Sequence, residues 1–286
     1  MADTRNTDAR LLRSYHDGRG LILANAWDAG SAAVIAEAGA LAIGTTSAGV
    51  SWALGRPDGQ RLTRDDMMQA VRRIVEAVDV PVTADIEGGY GPSPEDVGAT
   101  VEATLAAGAV GINLEDSRDV GGPLFSPDEQ ADRIRAARGA ARSSGVPDMV
   151  INARTDVFLF AIGEPDGRLD EVRRRAQRYA EAGADCLFVP GLLDLAALES
   201  LVTTLPLPVN AMAGPGGPSV PELHAAGVQR ISVGPMIAQV AYAAAQRAAR
   251  ELFSAGTYGA CEEAIDFAEL NGLFVASGDA RQRDSG

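Results

Sequence analysis

Lysine is absent from this chain of 286 residues, and all 25 of its basic residues are arginine. A Schiff-base aldolase, a lysine general base and a P-loop nucleotide site each need a lysine amine, so the sequence excludes all three. Histidine and cysteine are scarce. His16 and His224 cannot supply a three-histidine metal site, and Cys186 and Cys261 cannot form a four-cysteine zinc site. The chemistry must therefore rest on carboxylates, arginines and hydroxyls, which are groups compatible with a hard metal ion.

Long apolar runs are also missing. No stretch approaches the roughly 18 apolar residues that a membrane-spanning helix needs, and the polar amino terminus has no signal-peptide core. The chain carries 39 acidic against 25 basic residues, and its net charge of −14 repels nucleic-acid phosphate and anionic lipid. Two cysteines build no disulfide framework. We therefore expect a cytoplasmic protein that binds neither nucleic acid nor membrane.

Short β-branched apolar runs alternate with longer amphipathic stretches along most of the chain. They predict strands at about 21–25, 41–46, 80–86, 110–115, 149–154, 185–190, 207–212 and 229–234. Eight βα units over about 250 residues are typical of a (β/α)₈ TIM barrel of the α/β class. An open doubly wound sheet is the alternative, although no G-x-G-x-x-G motif opens the first unit. No linker divides the chain, so residues 1–286 are predicted to form a single barrel domain.

The chain continues beyond the eighth predicted strand. Residues 237–254 and 258–271 predict two further helices, and residues 277–286 read as a polar tail. Both helices carry apolar stripes that a closed barrel has little surface to bury. We therefore expect these C-terminal helices, at about 237–271, to pack across a subunit boundary in a homodimer or homotetramer.

Polar side chains gather at the ends of the third, fourth and fifth predicted strands. Asp85 and Glu87 alternate in phase, as do Asn113 and Glu115, and Arg154 follows on the next strand. Asp85 and Glu87 alone could equally cap a helix, but all these strand ends open at one barrel mouth. Carboxylates gathered there repel one another, and a divalent cation relieves the repulsion. Because only oxygen donors are available, Mg²⁺ is the expected metal, with Mn²⁺ also possible.

The second predicted strand ends in small residues, Thr46, Ser47 and Ala48. Their backbone N–H groups are open to a carboxylate, and Ser47 adds a hydroxyl, although a simple tight turn would have the same sequence. Asp58 lies in the following loop between a proline and a glycine, a context in which aspartate commonly forms a turn.

Seven short motifs follow one another along the chain. They are Asn25-Ala-Trp-Asp-Ala-Gly-Ser-Ala32, Thr46-Ser-Ala-Gly49, Pro57-Asp-Gly59, Asp85-Ile-Glu-Gly-Gly-Tyr-Gly91, Asn113-Leu-Glu-Asp116, Asn152-Ala-Arg-Thr-Asp156 and Pro208-Val-Asn210. In this order they resemble the isocitrate lyase/phosphoenolpyruvate mutase superfamily, and the resemblance runs from about residue 9 to about residue 275. It implies a (β/α)₈ barrel whose terminal helix is exchanged between the subunits of a dimer, commonly within a tetramer.

The resemblance also implies bound Mg²⁺ and a 2-oxo acid or its enolate, next to which a C–C or P–C bond is made or broken. Asp85 and Glu87 would hold the metal directly or through water, with Glu115 in the water-mediated shell. The implied substrate-site residues are Thr46, Ser47 and Ala48 at the carboxylate, assisted by Arg154, with Asp58 near the reacting atoms and Asn210 lining the pocket. A developing enolate needs positive charge at its oxygen, which Mg²⁺ and arginine supply.

The loop after the fourth predicted strand departs from the lyase pattern. Isocitrate and methylisocitrate lyases carry a Lys-Lys-Cys-Gly-His motif there, whereas residues 117–126 contain no lysine, cysteine or histidine. The lysine- and asparagine-bearing gating loop of the phosphonate enzymes is missing too. The sequence predicts an Mg²⁺-dependent carbon–carbon lyase for a small 2-oxo or 2-hydroxy carboxylate, including oxaloacetate-type decarboxylase or hydrolase activity. The alternatives are a phosphoenolpyruvate mutase or phosphonopyruvate hydrolase, and a non-catalytic 2-oxo-acid-binding barrel.

Overall fold

A computed structural model of the chain describes residues 2–16 and 20–274, so the predicted polar tail at 277–286 lies outside the described residues. Its strands all run parallel in one sheet. They are β1 (Leu21–Leu23), β2 (Asn25–Ala26), β3 (Ile43–Thr45), β4 (Val82–Asp85), β5 (Gly111–Glu115), β6 (Val150–Arg154), β7 (Cys186–Phe188), β8 (Val209–Met212) and β9 (Arg230–Ser232). Every predicted strand is present.

The sheet closes on itself through its first strand. β1 pairs with β9, whereas β2 pairs with β3, and only Ala24 separates β1 from β2. The two short strands are therefore halves of one barrel strand. An open doubly wound sheet would leave its two edge strands unpaired, so this pairing excludes that alternative. The prediction of a (β/α)₈ TIM barrel is confirmed.

Helices connect the strands around the outside of the barrel. They are α1 (Ala2–Ser14), α2 (Ala29–Glu37), α3 (Ser47–Ala53), α4 (Arg64–Glu76), α5 (Pro94–Ala107), α6 (Pro127–Ser143), α7 (Arg168–Ala182), α8 (Leu195–Thr204), α9 (Val220–Ala225) and α10 (Met236–Ser254). Thr63, Ser93 and Ser126 begin three of them with reciprocal capping boxes. Across residues 2–16 and 20–274, no helix has the length and apolar character needed to span a membrane.

Alternation along the strands separates an apolar wall from a polar interior. On β5, Ile112 and Leu114 are fully buried in the layer between sheet and helices, whereas Asn113 points into the barrel cavity. Helix α1 covers the amino-terminal end of the barrel, where Leu12 approaches Gly111. A Cβ at Gly111 would lie 2.8 Å from Leu12 Cδ2, so only glycine allows this close approach.

A buried ion pair fixes the chain after β5. Asp116 is fully buried, and its Oδ2 accepts hydrogen bonds from Arg175 Nη1 (3.0 Å) and the Tyr179 hydroxyl (2.8 Å). Its Oδ1 accepts the backbone N–H of Asp156 at 3.0 Å. The carboxylate therefore ties the loop after β5 to the loop after β6 and to α7.

The carboxyl-terminal helices differ from the prediction. Helix α10 matches residues 237–254, but the helix predicted at 258–271 is wrong over its first half, where the chain has only a 3₁₀ turn at Gly259–Cys261; residues 267–274 are helical. Glu251 holds the non-helical turn by accepting the N–H groups of Gly259 and Ala260. Asp266 then accepts the N–H of Ala268 at 2.8 Å, which is typical of a helix cap.

The Asp116 network gives the first prediction. Replacing Asp116 by alanine removes the buried acceptor of Arg175, the Tyr179 hydroxyl and the Asp156 N–H, and leaves Arg175 with Glu171 as its remaining carboxylate. Breaking a buried pair in this way typically costs about 3 to 5 kcal/mol. We expect the free energy of unfolding, measured by urea denaturation, to fall by that amount. Asp128→Ala is the control, because Asp128 is 76% exposed in its ion pair with Arg178 and exposed pairs contribute little. Similar losses in the two variants would contradict the prediction.

Candidate active site

A cavity of about 250 Å³ lies at the carboxyl-terminal ends of the barrel strands. Of the nine predicted site residues, seven line it: Thr46, Ser47, Ala48, Asp58, Asp85, Arg154 and Asn210. The polar residues that share the lining are Asn25, Thr45, Thr83, Asn113, Asn152, Arg230 and Ser232. The two remaining predicted residues, Glu87 and Glu115, lie behind the cavity wall. The structure thus brings seven of the nine predicted residues together around one cavity, and two of the three predicted metal residues are not part of its lining.

Asp85 ends β4 and is held by three donors. The backbone N–H of Ser47 donates to Oδ2 at 3.1 Å, and Asn113 Nδ2 donates to Oδ1 at 3.0 Å. The N–H of Glu87 also donates to Oδ1, at 3.3 Å. The backbone of Asp85 is fixed as well, since its N–H donates to the Thr45 hydroxyl at 2.8 Å. These contacts fix the carboxylate in one orientation at the cavity wall.

Glu87 is only 2% exposed and does not continue the strand alternation. Its φ of +50° is left-handed and turns it away from the cavity face that it was predicted to share with Asp85. Its carboxylate accepts hydrogen bonds from the Tyr90 hydroxyl (3.2 Å) and from the backbone N–H of Gln60. Burial, reinforced by the Asp85 carboxylate, raises the pKa of Glu87 to about 7. Such strained backbone is concentrated at functional sites.

Arg154 at the end of β6 joins two carboxylates. Its Nη1 lies 2.9 Å from Glu115 Oε2, and its Nε donates to Asp156 Oδ1 at 2.6 Å. Asp156 also accepts the Ser117 hydroxyl at 2.6 Å. Burial raises the pKa of Glu115, and the Arg154 guanidinium opposes that rise. Arg154 therefore connects the cavity to Glu115, although Glu115 does not line it.

Thr46, Ser47 and Ala48 lie where β3 passes into α3. The sequence predicted open backbone N–H groups there, but the N–H of Thr46 donates to the Ala26 carbonyl oxygen at 3.0 Å and that of Ser47 donates to Asp85. Asp58 faces them from the loop before α4. Burial raises the pKa of the Asp58 carboxyl, and the nearby Asp85 carboxylate adds to the effect.

A chain of hydrogen-bonded side chains crosses the barrel interior, and we call it the amide belt. Asn152 Nδ2 donates to Asn113 Oδ1 at 3.1 Å and to Asn210 Oδ1 at 2.9 Å. Asn210 Nδ2 donates in turn to Ser232 Oγ at 3.2 Å. Because Asn113 also donates to Asp85, the belt extends from that carboxylate to the far wall.

Arg230 is a charged cavity residue that was not singled out from the sequence. Arg230 starts β9 and is 3% exposed. The available signal is the spacing of Arg230, Ile231 and Ser232, which places the two polar residues in phase on the interior face of the strand.

The acidic residues are suited to a hard cation that keeps part of its water. Within residues 2–16 and 20–274, no group of three or more histidine, cysteine or acidic side chains is arranged to hold a metal ion directly. Mg²⁺ is typically bound through only one or two carboxylates and several waters. Asp85 and Asp58 present oxygen atoms to the cavity, with Glu87 and Glu115 close behind. This donor set therefore fits Mg²⁺.

The chain is similar to several known proteins. The phosphoenolpyruvate phosphomutase family model matches residues 12–253. An uncharacterized protein of Mycobacterium tuberculosis (H37Rv) is 35% identical over 236 residues, which cover 82% of this chain and 86% of that protein. The 2-methylisocitrate lyase of Escherichia coli K12 is 35% identical over 194 residues, or 64% of this chain and 62% of the enzyme.

Solved structures agree. A crystal structure from Burkholderia cenocepacia J2315 is 46% identical, has a TM-score of 0.81, and covers 88% of this chain and 100% of its own. Oxaloacetate acetylhydrolase with its product oxalate has a TM-score of 0.84 at 27% identity, covering 98% of each chain. Phosphonopyruvate hydrolase with oxalate and Mg²⁺ has a TM-score of 0.81 at 25% identity, covering 97% of each chain. The chain belongs to the isocitrate lyase/phosphoenolpyruvate mutase superfamily.

Proposed function

We propose that this chain is an Mg²⁺-dependent carbon–carbon lyase that acts on a small 2-oxo or 2-hydroxy carboxylate through an enolate. The observation that carries the proposal is the fixed Asp85 carboxylate, which faces the same cavity as Asp58 and Arg154. Two relatives support C–C cleavage by name, a 2-methylisocitrate lyase and an oxaloacetate acetylhydrolase with oxalate, and a phosphonopyruvate hydrolase with oxalate and Mg²⁺ supports the metal. Oxaloacetate-type decarboxylation or hydrolysis falls within this proposal.

In this proposal, Asp85 would hold the metal, and Glu87 and Glu115 would hold it through water. Mg²⁺, when bound, acts as a Lewis acid toward the oxygen on which enolate charge develops. Arg154 adds a fixed positive charge at the cavity wall, and its two carboxylate partners hold its guanidinium in place. The residues Thr46 to Ala48 receive the substrate carboxylate beside Arg154.

Proton transfer requires a group whose pKa lies closer to neutrality than that of an ordinary aspartate. Asp58 has this character, because burial and the neighbouring Asp85 carboxylate raise its pKa. It also lines the cavity, whereas the loop at 117–126 offers no cysteine or histidine. We therefore assign Asp58 the role of holding or transferring the proton at the reacting carbon. Asn210, held by the amide belt, lines the pocket.

Two alternatives remain, because the loop at 117–126 lacks the lyase motif and because the relatives include phosphonate enzymes. A phosphoenolpyruvate mutase or phosphonopyruvate hydrolase would change the ³¹P spectrum of phosphonopyruvate or release phosphate from it. A non-catalytic 2-oxo-acid-binding barrel would bind oxalate tightly and turn over none of oxaloacetate, 2-methylisocitrate and phosphonopyruvate. The proposed lyase cleaves a C–C bond in oxaloacetate or 2-methylisocitrate and leaves phosphonopyruvate unchanged.

The central test replaces Asp85 by asparagine. The change removes one charge with little change in shape, so the fold should survive while the affinity for Mg²⁺ falls. We expect kcat/KM to fall by on the order of a hundredfold or more, because the metal stabilises the enolate by several kcal/mol. A Mg²⁺ titration of turnover measures both effects. Full Mg²⁺-dependent turnover by the variant would show that β4 does not hold the metal.

Two further variants accompany Asp85→Asn, one at a second site residue and one as a surface control. Arg154→Lys should also reduce turnover strongly, since an ammonium cannot reproduce the planar fork that contacts Glu115 and Asp156. Asp128→Asn is the matched control on the surface of α6, and its turnover should equal that of the unmodified protein. Loss of turnover in the control would point to a general effect of charge removal.

We also propose that the protein is a homodimer or homotetramer in the cytoplasm. Large apolar side chains remain exposed on α10 and beyond it, including Phe253 at 86%, Phe267 at 81% and Val240 at 60%. Surface of this kind is typical of an interface between subunits. Exchange of a terminal helix between subunits would bury it.

Light scattering at micromolar concentration tests the assembly. We expect a mass of two or four times the 29.6 kDa chain. Phe253→Asp should shift the population toward the monomer, because it places a charge in the apolar surface. Leu41→Asp, at a 56% exposed leucine next to the barrel, is the control and should leave the mass unchanged. A monodisperse monomer of the unmodified chain would contradict the proposal.

A further inference from the structure

Arg230 is a buried guanidinium that faces the cavity and keeps unused hydrogen-bond donors within the described part of the chain. It is 3% exposed and lines the cavity wall. Its Nε and Nη1 atoms are buried and have no hydrogen-bond partner among the residues that the structure describes. Arginine stays charged in proteins, and an unpaired buried charge is strongly unfavourable. This part of the barrel therefore keeps a positive charge whose counterion the described chain does not supply.

The other buried arginines among the described residues, Arg133, Arg138 and Arg175, donate to protein oxygen atoms. Arg138 donates to Asp185 and to the carbonyl oxygens of Gly183, Pro147 and Met149. The Nε, Nη1 and Nη2 atoms of its guanidinium all donate to protein oxygen atoms. The open donors of Arg230 are a local feature of the cavity and not a general property of buried arginine in this fold.

The ionisable groups around Arg230 do not offset its charge. Burial raises the pKa of the Cys186 thiol to about 12, so the thiol is neutral. Burial, together with the charge of Arg230, lowers the pKa of His16 to about 4, so the imidazole is neutral too. Asp85 is the nearby carboxylate. Its oxygens already accept hydrogen bonds from the Ser47 N–H, the Asn113 side chain and the Glu87 N–H. The donors of Arg230 thus remain available.

Arg230 lies deeper in the barrel than the predicted carboxylate site. Ser232 belongs to the amide belt, and Arg230 precedes it by two residues on β9, which is about 6.6 Å along a strand. Thr46 to Ala48 and Arg154 stand at the mouth of the same cavity. Thr83 also lines the deeper part, and its hydroxyl likewise has no partner within the described residues. The cavity therefore has one guanidinium at its mouth, that of Arg154, and a second one deeper in the barrel, that of Arg230.

We propose that Arg230 binds a second anionic group of the substrate at the floor of the cavity, so that the substrate is a small dianion. The first carboxylate lies at the mouth, as in the proposed function on which this inference rests. A cavity of about 250 Å³ is at the small end for ligand pockets, which favours a compact acid. Guanidinium groups recognise both carboxylate and phosphonate oxygens through paired hydrogen bonds.

Matched ligands test the second anionic group. 2-Oxobutanoate carries one carboxylate, whereas 3,3-difluorooxaloacetate has the same chain length and carries two. Calorimetric titrations with Mg²⁺ present should show that Arg230→Met weakens binding of the diacid about 10- to 100-fold, because a charged hydrogen-bonded contact is lost. Binding of 2-oxobutanoate should change less than about threefold. An equal effect on both ligands, or no effect on either, would overturn the inference.

Phosphonopyruvate distinguishes the two sources of the second group. If it binds the unmodified protein more tightly than the diacid and loses that advantage in Arg230→Met, the second group is a phosphonate. If the diacid binds more tightly, it is a carboxylate. Arg230→Lys keeps a positive charge without the planar fork, so it should retain part of the preference for dianions.

Stability separates a binding role from a structural one. Arg230→Met removes an unpartnered buried charge, so the ligand-free variant should unfold at the same or a higher urea concentration. Arg138→Met is the control and should unfold at a lower concentration, because Asp185 loses one of its two arginine partners and three carbonyl oxygens lose the Arg138 donor. If Arg230→Met fails to fold or is clearly destabilised, Arg230 supports the fold and the inference is wrong.

The two proposals can fail separately. The Arg230 titrations measure binding and need no turnover, so they are informative even if the chain proves to be a non-catalytic barrel. Conversely, loss of turnover in Asp85→Asn with no dianion preference at Arg230 would support the lyase and overturn only the present inference.

Discussion

Closure of the parallel barrel is the constraint on which the rest of the structure depends. β1 hydrogen-bonds to β9 while β2, one residue later, hydrogen-bonds to β3. This arrangement leaves no free edge and directs the carboxyl end of every strand to one mouth. Residues as distant in the chain as Ser47, Asp85, Arg154 and Asn210 meet only for this reason. The site is thus a property of the closed sheet and of no single segment.

The closed sheet also creates an unusual interior. Asparagine, threonine, serine and arginine side chains fill positions that apolar residues dominate in many barrels. Each amide must find a partner, and the belt from Asn113 through Asn152 to Asn210 satisfies most of them. Asn113, which the belt holds in place, also donates to Asp85 and so orients its carboxylate. Local stability and the geometry of the site therefore rest on the same contacts.

Local patterns were enough to predict the barrel and most of the site. β-Branched runs located every strand, and polar residues in phase at strand ends identified Asp85 and Arg154. Glu87 was misplaced because a left-handed turn ends the alternation, and that turn depends on contacts with distant groups such as Gln60. The C-terminal helix was placed too early because the capping role of Asp266 is not visible in periodicity. Arg230 was missed because one arginine beside a strand usually faces solvent.

Helix α1 gives the barrel a closed end. Leu12 approaches Gly111 there, and Arg13 lies 2.8 Å from Asp185, so the helix covers the amino-terminal opening. Within the described residues, the cavity is therefore closed at the amino-terminal end and opens at the mouth formed by the carboxyl ends of the strands. The fragments of any molecule that is split inside it must leave one after the other. A fragment at the closed end has to pass the position of the fragment nearer the mouth. The order of departure is thus set by the architecture of the barrel, before any difference in affinity between the fragments.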